Sequence, residues 1–170
     1  MAFEQLYTER LTLTLLKKDD AGFIEKLVNT EGWLKFIGDR NVHSVTDAEA
    51  YIEKIAANPN INYWVARIKE LNKPIGVISF IKRDYLEHWD IGFALLPQEH
   101  GKGYAYEGAM YILKHNACTG KHSQFLATVI SSNIISVKLL EKMGLYFEKE
   151  IVSDTGPLML FSAEAKNYCN

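Results

Sequence analysis

The chain has 170 residues, of which 48% are hydrophobic and 24% charged, a length and composition that suit one globular domain with a full core. Its formal net charge of -2 offers no basic excess for a nucleic-acid partner. No apolar run approaches the roughly 20 residues that cross a bilayer, so no membrane partner is expected.

Arg10–Leu16 alternates Leu and Thr, the pattern of a half-buried strand. Asp19 or Asp20 can cap a helix that carries Phe23, Ile24, Leu27 and Val28 on one face. Residues 31–40, with Trp33 and Phe36, form a short helix or a loop. Thr46 and Glu49 match a capping box, opening a helix that stops before Pro59. Strands are predicted over Tyr63–Ile68, Ile75–Ile81 and Trp89–Leu96, with turns at Asn72–Pro74 and Asp84–Glu87. Gly103–Asn116 is predicted as a helix, Phe125–Ile130 as a strand, and Asn133–Met143 as a helix closed by Gly144. Tyr146–Ser153 and Leu158–Phe161 form a hairpin around Asp154–Pro157. Antiparallel strands followed by strand–helix–strand–helix–strand give an α/β (α+β) chain, a mixed sheet covered by helices, read as a single domain over residues 1–170.

Cys118 and Cys169 lack a CxxC spacing and read as two unpaired thiols in a reducing compartment. The five histidines contain no HExxH and no paired Cys/His spacing, so no metal site is expected. MAFEQLYTER has no basic segment followed by an apolar one. No signal peptide is expected, and the location is read as cytoplasmic.

FALLPQEHGKGYAYEGA places Gly101 and Gly103 where a strand hands over to a helix. Helix N-terminal amides welcome an anion, and glycine lets the backbone approach it with positive φ. An ordinary glycine-rich turn would look the same. A P-loop needs GxxxxGK followed by Ser or Thr, which is absent. A dinucleotide GxGxxG fails because Tyr106 takes the third glycine position.

The pattern QxxGxG, here Gln98 to Gly103, followed by Ala105, resembles the acetyl-CoA loop of the GNAT N-acetyltransferase superfamily. TERLTLTLLKKDD (Thr8–Asp20) resembles the opening strand and helix cap of its RimJ/RimL-like branch. SSNIISVKLLEKMGL (Ser131–Leu145) resembles that branch's later Asn-x-x-Ser helix. The resemblance implies a GNAT fold with splayed central strands and acetyl-CoA as co-substrate. Phe93, Ala94, Leu95 and Leu96 would line the pantetheine arm. Gln98, His100, Gly101, Lys102, Gly103, Tyr104 and Ala105 would surround the pyrophosphate. Asn133, also a good helix cap, and Ser136 would meet the arm and the departing thiolate. The tyrosine acid that many members carry seven residues after this Asn is replaced by Leu140.

The implied reaction is direct attack of a primary amine on the thioester through a ternary complex. An amine with pKa near 10 needs a base. Asp90 is the first candidate, with Ser136 the second catalytic residue. Strand alternation puts Asp90 with the small Gly92 and Ala94. Glu87 and His88 at the hairpin end are weaker acceptor-side candidates, and Asp84, Glu87 and Asp90 together would favour a cation. In the family the Trp33–Phe36 region walls the acceptor site; packing on the sheet is the plain alternative. The acceptor is a protein N-terminus or a small-molecule amine, and the assembly a monomer or homodimer. A non-catalytic acyl-CoA-binding regulator would share the same loop.

Overall fold

A computed structural model describes residues 5–169. A mixed eight-stranded sheet, in the spatial order β1 (Gln5–Tyr7), β2 (Leu11–Leu15), β3 (Ile61–Ile68), β4 (Lys73–Ile81), β5 (Asp90–Leu95), β6 (Gln124–Val129), β8 (Gly156–Glu164) and β7 (Tyr146–Ser153), is flanked by helices. The chain divides into two compact units. One runs to Ser79 and takes in Phe93–Gly108; the other comprises Phe80–Gly92 and the chain from Ala109 onward.

In the first unit, β1 (Gln5–Tyr7) pairs antiparallel with β2 (Leu11–Leu15), placing Leu6 opposite Leu13. The Leu–Thr alternation works as expected: Leu11 and Leu13 are buried, while Thr12 and Thr14 are half-buried. β1 itself escapes the sequence reading because three residues are too few to show a period. β2 pairs antiparallel with β3 (Ile61–Ile68). Helices α1 (Ala21–Val28), α2 (Glu31–Phe36) and α3 (Val45–Ala56) bury Ile24, Leu27, Trp33 and Ile52 in a core with Val65 of β3 and Val77 of β4 (Lys73–Ile81).

Two expected caps are corrected. The Asp20 carboxylate does not cap α1; it accepts the Lys17 amide at 3.1 Å and forms an ion pair with Arg67. A guanidinium is a stronger partner for a buried carboxylate than helix amides are. Helix α3 is capped by Ser44, which accepts the Asp47 amide at 3.1 Å, while the Asp47 carboxylate reaches back to the His43 amide at 2.9 Å. The reciprocal pair therefore lies two residues upstream of Thr46 and Glu49. S-x-x-D satisfies the same amides as T-x-x-E, so both fitted the motif.

In the second unit, β6 (Gln124–Val129) and β7 (Tyr146–Ser153) both pair antiparallel with β8 (Gly156–Glu164). The parallel pairing of β5 (Asp90–Leu95) with β6 sets Asp90 opposite Leu126. Leu86, Leu126 and Leu160 form a small apolar cluster, and Phe80 stacks on Trp89 with centroids 5.1 Å apart. Helix α4 (Tyr104–Ala117) begins in the first unit and continues into this one. Helix α5 (Ile134–Lys142) closes on Gly144 at φ 90°, with the Leu145 amide returning to Leu140 O at 3.0 Å.

The expectation of two unpaired thiols is corrected. Cys118 and Cys169 form a disulfide, with Cα atoms 5.1 Å apart across 51 residues of sequence. Such a separation leaves no local signature, because only the fold brings the end of α4 beside the C-terminal turn. Among the described residues, no helix is long and apolar enough to cross a membrane.

Candidate active site

The glycine loop belongs to the first unit. The Leu96 amide donates to Ile75 O of β4 at 2.8 Å, so Leu96 faces its neighbouring strand. Alternation then turns the amides of Phe93 and Leu95 the other way. Leu95 O lies 3.0 Å from His100 Nε2. A carbonyl only accepts, so this ring nitrogen carries the hydrogen. After β5, Pro97 opens a single 3-10 turn that leaves Gln98 exposed and buries Glu99.

Gly101 and Gly103 have φ of 76° and 83°. Both lie in the left-handed region that glycine enters without strain. His100, Gly101, Lys102 and Gly103 are exposed, and Tyr104 and Ala105 are half-buried at the start of α4. The Glu107 amide closes the first turn of α4 on Gly103 O at 3.0 Å. The amides before it have no acceptor four residues back within the helix and form the anion-welcoming end. The loop conformation thus fits a diphosphate on backbone grounds alone.

The charges around the loop differ from the expectation. Lys102 Nζ, expected beside the diphosphate, lies 3.0 Å from Glu99 Oε2, and Lys73 Nζ lies 2.6 Å from Glu99 Oε1. Hydrogen bonds from Lys73 and Lys102 hold the Glu99 carboxyl below its ordinary range. Arg10, Glu107, Glu99 and Lys73 were not selected from the sequence, yet all stand at the loop. Arg10 Nε pairs with Glu107 Oε2 at 2.6 Å, and its Nη1 donates to Lys102 O at 2.9 Å. Its guanidinium carbon sits 4.6 Å from the centroid of the Tyr104 ring. Arg10 and Glu107 lie in the stretches TERL and YAYEG. Nothing local marks them as partners across 97 residues.

In the second unit, Asp90 is 2% exposed. Its Oδ2 accepts from Arg83 Nε at 2.7 Å and from Thr128 Oγ1 at 3.4 Å. Oδ1 is buried without a hydrogen-bond partner among the described residues. Burial pushes the carboxyl above its ordinary range, and the Arg83 guanidinium opposes that rise. A carboxylate with one anchored and one unengaged oxygen, made more basic by burial, has the chemistry of a proton acceptor. Glu87 is exposed and His88 half-buried at the turn before β5.

Asn133 and Ser136 also lie in the second unit. The Asn133 side-chain oxygen caps α5 by accepting the Ser136 amide at 3.3 Å, and both residues are half-buried. Leu140 is 2% exposed and packs in the core. In the first unit, Trp33 is buried and, with Leu16, Ile24, Tyr51, Ile55, Tyr63 and Val77, lines a small hollow of about 10 Å³. Its indole nitrogen has no partner among the described residues. Phe36 is half-buried, with Lys35 Nζ 5.0 Å from its ring centroid. Trp33 thus packs as core, as the plain alternative had it.

Comparison with known proteins adds four findings. The acetyltransferase (GNAT) domain family matches residues 10–146. An uncharacterized N-acetyltransferase, p20, of Bacillus licheniformis is 27% identical over 151 residues, covering 86% of this chain and 84% of its own. Among solved structures, spermidine N-acetyltransferase from Vibrio cholerae in complex with CoA and spermine superposes with a TM-score of 0.80 at 20% identity, over 95% of this chain and 99% of that one. Ribosomal-protein-S5-alanine acetyltransferase from Vibrio fischeri gives a TM-score of 0.79 at 18% identity, over 98% and 99% of the two chains. At these identities the structural matches speak for the fold.

Proposed function

The chain belongs to the GNAT acetyltransferase family, and from that premise we propose that it is an N-acetyltransferase of the RimJ/RimL-like branch. It moves an acetyl group from acetyl-CoA to a primary amine. The supporting observation is the loop itself: two glycines at φ 76° and 83° leading into the amide end of α4, at the QxxGxG positions. We read the whole chain as one catalytic domain, as a monomer or homodimer.

Each residue set has a distinct task in this reading. Loop and first-turn amides bind the donor's diphosphate, with Gln98, His100, Tyr104 and Ala105 beside it. The amides of Phe93 and Leu95 pair with the pantetheine arm, because their side of β5 is turned away from β4. Asn133 and Ser136 meet the arm and the sulfur. Asp90 takes the proton that the amine must lose before or as its nitrogen bonds to the acetyl carbon. The carbon–sulfur bond then breaks, and the electron pair leaves on a thiolate. Its thiol pKa near 8.5 makes acid help useful rather than mandatory, consistent with a Leu at position 140. Glu87 and His88 are assigned to the acceptor side, and Phe36 of α2 with them; Trp33 supports that region from the core.

The test is mass spectrometry of an acceptor panel incubated with acetyl-CoA. The panel includes spermidine, spermine, amino acids and a peptide with N-terminal alanine. A mass gain of one acetyl group on at least one amine is expected. No acetylated product on any of them would sink the proposal.

A further inference from the structure

Arg10 holds two parts of the glycine loop at once. Its Nε faces Glu107 Oε2 at 2.6 Å, and its Nη1 donates to Lys102 O at 2.9 Å. Its own backbone amide donates to Glu107 Oε1 at 2.7 Å, an oxygen that also takes the Thr8 hydroxyl at 2.5 Å. Glu107 lies in the first turn of α4, where a carboxylate complements the helix end. The residue just before β2 therefore grips both the loop carbonyl and the helix that follows.

The consequence runs through one peptide plane. In a trans peptide, C=O and the following N–H point in opposite directions. Drawing Lys102 O toward Arg10 aims the Gly103 N–H to the far side. The guanidinium also occupies the face where a side chain would stand: a Cβ on Gly103 would lie 3.2 Å from Arg10 Nη2. Meanwhile the Lys102 ammonium is engaged by Glu99 and is not the group that orders this peptide.

We propose that Arg10 is a positioning residue for donor binding: through the Lys102 carbonyl it sets the direction of the Gly103 N–H as a diphosphate donor, with Glu107 fixing the guanidinium. This rests on the acetyl-CoA reading of the loop. A lysine cannot replace it fully, because one ammonium lacks the planar fork that spans both Glu107 and the carbonyl.

The experiment compares two donors, acetyl-CoA and the acetyl thioester of pantetheine, which lacks the diphosphate. For Arg10→Ala, the KM for acetyl-CoA is expected to rise roughly tenfold, the scale of one lost charge-assisted hydrogen bond. kcat/KM for acetyl-pantetheine stays within about twofold, because that donor never uses the Gly103 amide. Equal losses with both donors would show general damage and overturn the proposal; so would an unchanged KM for acetyl-CoA. If Arg10→Ala does not fold, Arg10→Lys carries the decision. A shift of about threefold or more in the ratio of the two donors supports the proposal, and an unshifted ratio overturns it. A wild type that binds no CoA in calorimetry would instead sink the donor reading itself, a failure visible before any variant is made.

Discussion

Glu99 is the carboxylate on which two lysines of the loop region converge: Lys73 at 2.6 Å and Lys102 at 3.0 Å. It lies 2% exposed, at the end of the single turn that Pro97 opens. The Lys102 cation is thus part of the loop's own scaffold. Its partner's protonation state bears on stability.

The direction follows from linkage. Lys73 and Lys102 lower the folded-state value of Glu99 below its ordinary 4.5. The folded protein then releases this proton more readily than the unfolded chain does. The resulting stabilisation is fully present above pH 4.5 and is lost as pH falls through the lowered folded value. Both ammonium groups are about half exposed, so solvent screening limits the effect to on the order of 1 kcal/mol. Melting curves from pH 6 to pH 3 check this: the wild type is expected to lose more stability toward acid than Glu99→Gln. Parallel curves would contradict it.

At Gly76 of β4 the backbone of β5 leaves no room for a side chain. A Cβ there would meet Ala94 O at 2.3 Å and Leu95 Cα at 2.9 Å, both backbone atoms that cannot swing aside. Gly76→Ala is expected to cost about 2–3 kcal/mol or more, lowering Tm by roughly 5–10 °C. Gly101→Ala is the contrast: it meets nothing within 4 Å and carries only the penalty of its φ of 76°. That penalty is about 1–2 kcal/mol. Thermal melts of the two variants side by side test the ranking, and a milder effect at Gly76 would refute it.

Asp90→Asn keeps the shape of the side chain and removes its basicity. kcat is expected to fall by about 10²–10⁴, the usual contribution of a general base, while CoA affinity stays within about twofold. The wild type should show an acid limb in kcat/KM. Activity falls as Asp90 gains its proton, at a pKa above the ordinary 3.8 because burial disfavours the charge. A variant with wild-type rates across pH would remove Asp90 from the mechanism.

Cys118 and Cys169 are both exposed, and their bond joins the end of α4 to the C-terminal turn. Thiol titration of the air-oxidised, unfolded protein is expected to find no free thiol, and the reduced protein two. Opening this 51-residue link is expected to cost about 2–4 kcal/mol, or roughly 5–15 °C in Tm. Two titratable thiols before reduction would contradict the pairing.

Much of the fold was legible because its signals are local. The Leu–Thr alternation of β2, the Gly144 stop of α5 and the β7–β8 hairpin each announce themselves within a few residues, although the turn is only Asp154–Thr155, with Gly156 and Pro157 already paired in β8. The glycine loop was legible for the same reason, since positive φ at Gly101 and Gly103 needs glycine. What was missed is long-range. Arg10 finds Glu107, Asp20 finds Arg67, and Cys118 finds Cys169 only once the chain has folded. Trp33 illustrates a further gap: an aromatic between two helices reads the same whether it lines a pocket or fills a core, and here it is 4% exposed in the core. Alternation grouped Asp90 with Gly92 and Ala94, but the burial along β5 does not alternate and Asp90 lies buried, held by an Arg83 anchor that left no local sequence signal.

The most direct test of the central claim is release of the CoA thiol, followed with a thiol-reactive dye while acetyl-CoA is supplied with and without primary amines. The account predicts amine-dependent release, matched one for one by acetylated product, for at least one acceptor. Saturable acetyl-CoA binding with no release for any amine would contradict it, and would leave the chain a binder of acyl-CoA rather than an acetyltransferase.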